Sequence, residues 1–361
     1  MEVNKGNRTM KICFITATLT SGGSERVMSL VANQLAKRGH DVEIVNLNKH
    51  IVFYPIHEDV HLSFAEDEVG SSIISKIIWL RKHVKTEKSD VVIPFMEAVY
   101  CVTLLALIGV EVPVISSERI DPRKSPFVRN ILRRIFLPLT THLVVQTKDI
   151  KAFYPEFIQK KTSIIYNPVS ETVFHLQDEP KENVIISVGK LDGQKNQKLL
   201  INAFARIADK FPEWKLVIYG EGRERDSLES LVSSFKSQVS SRIQLPGRCE
   251  TVIEKMNRAK VFAFSSDFEG MSNAILEAVC VGLPVVTTNV SGAAELVKDG
   301  EGGFVVPIRN GKALADSLRI LLKDESLMHK MAQHNKATAK NFKLDMIVDQ
   351  WESLILHIYK H

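Results

Sequence analysis

Two carboxylates, Glu269 and Glu277, stand eight residues apart in the segment Asp267-Phe268-Glu269-Gly270-Met271-Ser272-Asn273-Ala274-Ile275-Leu276-Glu277. Gly270 permits a tight turn. Ser272 and Asn273 are helix-capping types, placed to start a helix through Ile275, Leu276 and Val279. The open N–H groups of such a helix start form an anion site suited to a diphosphate. The two carboxylates, one in the loop and one about two turns into the helix, are strong acceptors for ribose or sugar hydroxyls. The flanking Ala278-Val279-Cys280 and Gly282-Leu283-Pro284 predict a buried helix, in which Glu277 needs a partner.

A second constellation is Val188-Gly189-Lys190-Leu191-Asp192-Gly193-Gln194-Lys195-Asn196. Gly189 lets the backbone approach a ligand, and Lys190 and Lys195 bring two cations beside it. A charge-assisted hydrogen bond to phosphate is worth roughly 1.5–3 kcal/mol. The larger gain comes from neutralising charge that builds on a departing diphosphate.

The elements that must hold these residues read as strands alternating with helices. Lys11–Thr16 is an apolar run, followed by Ser21-Gly22-Gly23-Ser24 and by Val27, Leu30, Val31 and Leu35 at helical spacing. Further short runs lie at 42–47, 90–95, 112–116 and 142–146. The rhythm pauses in a polar stretch from about Tyr166 to Lys181 and resumes with runs at 184–188, 215–219, 243–245, 260–264, 284–287 and 304–306. The pattern predicts an α/β protein with two doubly wound, Rossmann-like domains, 1–168 and 169–343, and a terminal helix over 344–361 that packs back on the first. Ligands of such sheets sit at the carboxyl ends of the strands, here in a cleft expected between the domains.

The bulk numbers fit a globular chain of two domains: 361 residues, 45% apolar and 25% charged. Cys13, Cys101, Cys249 and Cys280 are scattered without metal-ligand spacing, which argues against a disulfide framework or zinc site and for a reducing, cytoplasmic setting. Met1 to Thr9 read as a polar leader, with patterned chain from Met10. The longest apolar run, Ala98 to Val110, falls short of the ~20 residues that span a bilayer. Residues 1–168 carry 22 Lys and Arg against 17 Asp and Glu, whereas 169–361 carry 25 of each. The excess suggests an anionic partner for the first half.

With these motifs in hand, the chain resembles the family 4 glycosyltransferases of the GT-B fold over nearly its whole length from Met10. Glu269 and Glu277 match the family's E-x7-E element, Gly189 to Asn196 its Gly-[Arg/Lys]-Leu-Asp-x-x-Lys-Asn element, Gly22-Gly23-Ser24-Glu25-Arg26 its first glycine loop, and Asn289 to Glu295 its late one. The resemblance implies a nucleotide-sugar donor, with UDP expected, retention of anomeric configuration and no metal or other cofactor. It implies Glu269 on the donor sugar, the backbone N–H groups of Met271, Ser272 and Asn273 on phosphate, Gly270 beside them in the donor site, Glu277 on ribose, and Lys190 and Lys195 on the leaving group. Gly189, Arg248 and Cys249 would line the nucleotide, and Gly22 and Gly23 would allow close approach from the first domain. Lys190 stands where the family usually has Arg, which loses the planar fork. Ser117-Glu118-Arg119 stands where many members have a His, making Glu118 and Arg119 the acceptor-side candidates.

For the acceptor, Arg123, Lys124, Arg129, Arg133 and Arg134 interleave with Phe127, Val128, Ile131, Leu132, Ile135 and Phe136, and 71–85 is similar. These read either as basic amphipathic helices meeting an anionic membrane and a polyprenyl-diphosphate-linked glycan, or as ordinary helices with the apolar side on the sheet. An oxidoreductase is disfavoured because Ser21-Gly22-Gly23-Ser24 is not G-x-G-x-x-G and no acidic residue follows the second strand. A nucleic-acid binder is disfavoured because the basic segments lack an aromatic stacking pattern. A nucleotide-sugar epimerase and a non-catalytic partner of an active transferase stay open as alternatives.

Overall fold

The computed structural model describes residues 8–48, 52–177 and 179–360. The expected leader falls outside them except for its last two residues. The chain divides into two compact units, Met1–Pro168 with Leu344–His361, and Val169–Lys343.

The first unit runs β1 (Lys11–Thr16), α1 (Gly23–Lys37), β2 (Asp41–Asn46), β3 (Val60–Phe64), α2 (Ala65–Val69), α3 (Ile73–Glu87), β4 (Val91–Pro94) and α4 (Glu97–Ala106). It continues with β5 (Ile115–Ser117), α5 (Phe127–Phe136), β6 (His142–Val145), α6 (Lys148–Phe153), α7 (Glu156–Gln159) and β7 (Thr162–Ile164). Two parallel sheets, ordered β3-β2-β1-β4 and β5-β6-β7, are joined by bridges Val92–Val114 and Phe95–Ser117. All pairs are parallel, and the inner strands β1 and β4 are near-continuous apolar runs, with core on both faces of the sheet.

The second unit runs β8 (Glu182–Val188), α8 (Gln197–Ala205), β9 (Lys215–Tyr219), α9 (Arg225–Ser233), α10 (Ser237–Ser240), β10 (Ile243–Gly247) and α11 (Val252–Arg258). Then come β11 (Ala259–Phe264), α12 (Asn273–Val281), β12 (Val285–Thr288), α13 (Ala293–Leu296), β13 (Gly303–Val306), α14 (Gly311–Lys323) and α15 (Glu325–Ala339). Its six strands form one parallel sheet, β10-β9-β8-β11-β12-β13. The chain builds outward from β8 through β10, then returns to β11 and builds the other way. The neighbours β8 and β11 therefore flank the point where strand order reverses, where open α/β sheets bind ligands.

The last helix, α16 (Leu344–Lys360), belongs to the first unit. Its Ile347, Val348, Trp351 and Ile355 are buried in the core built by β1, β2, β4 and α1. Arg38 bonds Asp349 Oδ1 at 2.7 Å and Glu352 Oε2 at 2.6 Å. This return alters the charge argument. Three acids and one base come with the helix, so the first unit holds 23 Lys and Arg against 20 Asp and Glu, and the second 24 against 22. The expected asymmetry between halves nearly disappears at the level of folded units.

Candidate active site

The loops after β8 and β11 are stitched to each other. Ser265 Oγ donates to the Asn196 carbonyl at 2.9 Å, the Asp267 N–H to the Gln194 carbonyl at 2.8 Å, and Gln194 Nε2 to the Phe268 carbonyl at 2.8 Å. Asn196, itself at φ +47°, donates its Nδ2 to Asp267 Oδ1 at 2.9 Å. Asp267 Oδ2 accepts from Arg309 Nε at 2.8 Å. Thr288 Oγ1, at the end of β12, donates to the Ser266 carbonyl at 2.6 Å.

This scaffold brings Lys195 and Glu269 together. Lys195 Nζ lies 2.6 Å from Glu269 Oε1 and over the Phe264 ring at 5.3 Å, and Ser266 Oγ reaches the same Oε1 at 2.6 Å. Glu269 is buried, and Lys195 is only partly so. An ion pair this enclosed and hydrogen-bonded fixes the positions of both charges. Gly270 and Met271 are buried next to it. Ser272 caps α12, its Oγ accepting the Ile275 N–H at 3.4 Å, so the helix starts where the sequence predicts. Glu277 is buried one turn further along the same helix.

Gly189 and Lys190 follow β8 directly, and Lys190 is exposed. Lys190 uses its backbone carbonyl to take Gln197 Nε2 at 2.8 Å, which leaves the ammonium to solvent. On the β8 side of the strand reversal, at the sheet's edge, Gly247 ends β10 and Arg248 and Cys249 follow it. Cys249 lies near Tyr219, whose hydroxyl is pushed above its usual range by burial and by Cys249. The late loop supplies Gly292 at φ +77° before the short α13. Two glycines were not singled out from the sequence. At Gly220, φ is +145° and a Cβ would overlap the Gly189 carbonyl oxygen; at Gly222 a Cβ would overlap the Leu191 carbonyl oxygen. The run Tyr219-Gly220-Glu221-Gly222 after an apolar strand carries that signal. Ser266 and Arg309, with no apolar period or motif to mark them, were also missed.

In the first unit, Gly22 precedes α1, and a Cβ there would overlap the Glu25 carboxylate, which accepts Thr18 Oγ1 at 2.9 Å. Gly23 opens the helix. Glu118 departs from expectation. It is fully buried, and its Oε2 accepts from Tyr100 at 3.0 Å, Tyr154 at 2.8 Å and Arg133 Nε at 3.0 Å. Enclosure on this scale makes it an internal strut of the unit rather than a group that touches an acceptor. Arg119 differs again. Its guanidinium stacks 4.4 Å from the Phe95 ring and donates to Asn167 Oδ1 at 3.0 Å, while Nε and Nη2 have no hydrogen-bond partner. Burial pulls its pKa down to about 9, with Glu118 opposing, so it stays cationic at neutral pH.

The basic segment is also reorganised. Arg133 is buried, bonding Glu118 and Glu97 Oε2, the latter at 3.2 Å, and Arg123 is held by Asp121 and Asp149. Lys124, Arg129 and Arg134 are the exposed cations left. In the second basic segment, Lys76 is buried on Asn48 and Glu66. Among the described residues no helix is long and apolar enough to cross a membrane, and no group of three or more His, Cys, Asp and Glu is arranged to hold a metal ion.

Comparison with known proteins agrees with the geometry. The family model described as Glycosyl transferases group 1 matches residues 170–338, and that described as Glycosyltransferase Family 4 matches 21–173. The Campylobacter jejuni GalNAc-alpha-(1->4)-GalNAc-alpha-(1->3)-diNAcBac-PP-undecaprenol alpha-1,4-N-acetyl-D-galactosaminyltransferase is 31% identical, over 97% of this chain and 99% of its own. A second enzyme of that organism, an N-acetylgalactosamine-N,N'-diacetylbacillosaminyl-diphospho-undecaprenol 4-alpha-N-acetylgalactosaminyltransferase, is 36% identical over 51% of this chain and 50% of its own. Anabaena HepE in complex with UDP shares the fold, with a TM-score of 0.79 and 18% identity over 96% of this chain and 100% of that one. The chain belongs to glycosyltransferase family 4 and is a glycosyltransferase of the GT-B fold.

Proposed function

We propose that this glycosyltransferase moves a hexose or N-acetylhexosamine from a UDP-sugar to a glycan carried on a polyprenyl diphosphate, with retention of anomeric configuration and without a metal. The observation that carries the reading is the Lys195–Glu269 pair beside the capped start of α12. Glu269 takes the sugar hydroxyls, the backbone from Gly270 to Asn273 takes a phosphate, and Glu277 takes the ribose. Lys190 and Lys195 take the charge of the departing diphosphate, the role a metal would otherwise fill. A bond forms from the acceptor oxygen to the anomeric carbon as the bond to phosphate breaks, and the acceptor proton passes to the leaving phosphate. No side-chain base is needed, consistent with Arg119 where others carry a His. Arg119, with two unpaired nitrogens, serves the acceptor side.

The printed activities of the two Campylobacter relatives support a polyprenyl-linked acceptor, and the UDP in the Anabaena structure supports the donor base. Such an acceptor lies at a membrane, and the reading places the protein at the inner face of the cell membrane. The exposed apolar residues of α5, beside Lys124, Arg129 and Arg134, support contact with anionic lipid. A thermal-shift panel of UDP, GDP, ADP and their sugars tests the donor. A shift selective for UDP is expected, since ligand at 100 times Kd adds about 2.7 kcal/mol. A shift selective for another base overturns it.

A further inference from the structure

Helix α5 is built the wrong way round for a soluble domain. Its one buried side chain is Arg133, while Phe127 is 79% exposed and Val128, Ile131, Leu132 and Ile135 are all exposed. Arg133 faces inward, tied to Glu97 and Glu118, and the apolar edge is turned out. Beside it, α6 and α7 expose Phe153 and Phe157. Between the two lies a groove of about 840 Å³ whose lining includes Phe127, Ile131, Leu137, Phe153 and Phe157 and the exposed Arg134. That volume is within the roughly 300–1,000 Å³ of ligand pockets. A largely apolar trough with an exposed cation in its lining complements a ligand that joins a hydrocarbon chain to an anionic head.

We infer that this groove binds the phosphate-proximal isoprene units of the acceptor's polyprenyl chain, with the Arg134 guanidinium beside the diphosphate. The inference rests on the polyprenyl-linked acceptor proposed above. A phospholipid tail offers the same apolar chemistry, but in the isoprenoid the diphosphate joins the chain without an intervening glycerol, which brings the anionic head next to the first units in the groove, beside Arg134.

The test uses a C55 polyprenyl monophosphate carrying a diazirine on its first isoprene units, in neutral nanodiscs with the full-length protein. Photolabel is expected on peptides spanning 127–138 and 153–158, displaced by unlabelled polyprenyl phosphate but not by the same concentration of phosphatidylglycerol. Phe157→Ser should lower labelling about tenfold and Phe157→Leu should restore most of it. Phe157→Ser should still co-sediment with anionic vesicles that lack polyprenyl lipid, because the outer edge of α5 is untouched. Label elsewhere, equal displacement by phosphatidylglycerol, or undiminished labelling of Phe157→Ser overturns the groove. Labelling does not read transfer. A wrong acceptor assignment would therefore show separately, as a labelled groove in a protein that transfers sugar only to other acceptors.

Discussion

Lys195 Nζ sits 2.6 Å from Glu269 Oε1, so the cation assigned to the departing phosphate and the carboxylate assigned to the sugar hold each other. Donor binding must share or replace that bond. Lys195→Ala is expected to lower kcat by about 10²–10³, the usual cost of losing one charge-stabilising donor. Glu269→Ala should reduce kcat/KM by a comparable factor. The double variant should lose less than the product of the two, because residues in contact couple by about 0.5–3 kcal/mol. Steady-state kinetics of the four proteins measures this, and strict additivity would contradict a shared role.

Gly220→Ala should damage the donor loop without touching a ligand. The added Cβ would overlap the Gly189 carbonyl at a φ of +145° that an L residue rarely adopts. A loss of more than about 1 kcal/mol is expected. Chemical denaturation reads the stability, and UDP-induced thermal shift should shrink alongside it. Gly193→Ala, which meets nothing within 4 Å, is the matched control and should be near neutral.

Arg133 neutralises two buried carboxylates, Glu97 and Glu118. Arg133→Met is expected to cost about 3–5 kcal/mol, since it leaves uncompensated charge in the core. Burial already raises the Glu97 pKa against the pull of Arg133. Part of the lost stability should therefore return as pH falls and the Glu97 carboxyl protonates. Urea unfolding at pH 7 and pH 5 checks the sign.

His142 should make stability fall in acid. Burial, aided by His357, Lys151 and Lys161, lowers its pKa from 6.5 to about 4. Between those values the unfolded chain takes up a proton that the folded one refuses, so stability is full above pH 6.5 and is lost on the way down to about 4. His142→Gln should flatten that segment of the stability–pH curve while keeping a hydrogen bond to Ser163 Oγ, now 2.9 Å from Nε2.

Ile135→Asp on the outer edge of α5 should abolish co-sedimentation with anionic vesicles at low salt and leave the fold intact, because Ile135 is exposed. Raising salt should weaken the wild-type interaction, each exposed cation near the surface adding about 1 kcal/mol. Equal binding by wild type and variant would contradict a membrane role for this edge.

Most strands were legible because parallel strands buried on both faces are plain apolar runs, as in Lys11–Thr16 and Lys215–Tyr219. The edge strands β3 and β7 were not. Val60–Phe64 exposes His61 and Leu62, and Thr162–Ile164 has only three residues. The Ser272 cap was legible from local residue types. The burial of Glu118 and Arg133 was not, because their partners Tyr100, Tyr154 and Glu97 are fixed by tertiary packing. For the same reason the amphipathic pattern of α5 was readable while its outward direction was not. Asp267 stood inside a legible motif, but its tie to Arg309 crosses 42 residues.

The most direct measurement is transfer by the purified protein from UDP-N-acetylhexosamines and UDP-hexoses to a polyprenyl-diphosphate-linked glycan, in the presence of EDTA, with NMR assignment of the new anomeric centre. The account predicts release of UDP and a product with the donor's own anomeric configuration, both lost in Glu269→Ala and in Lys190→Ala/Lys195→Ala. An inverted product, a requirement for added metal, or full activity in the double lysine variant would contradict it.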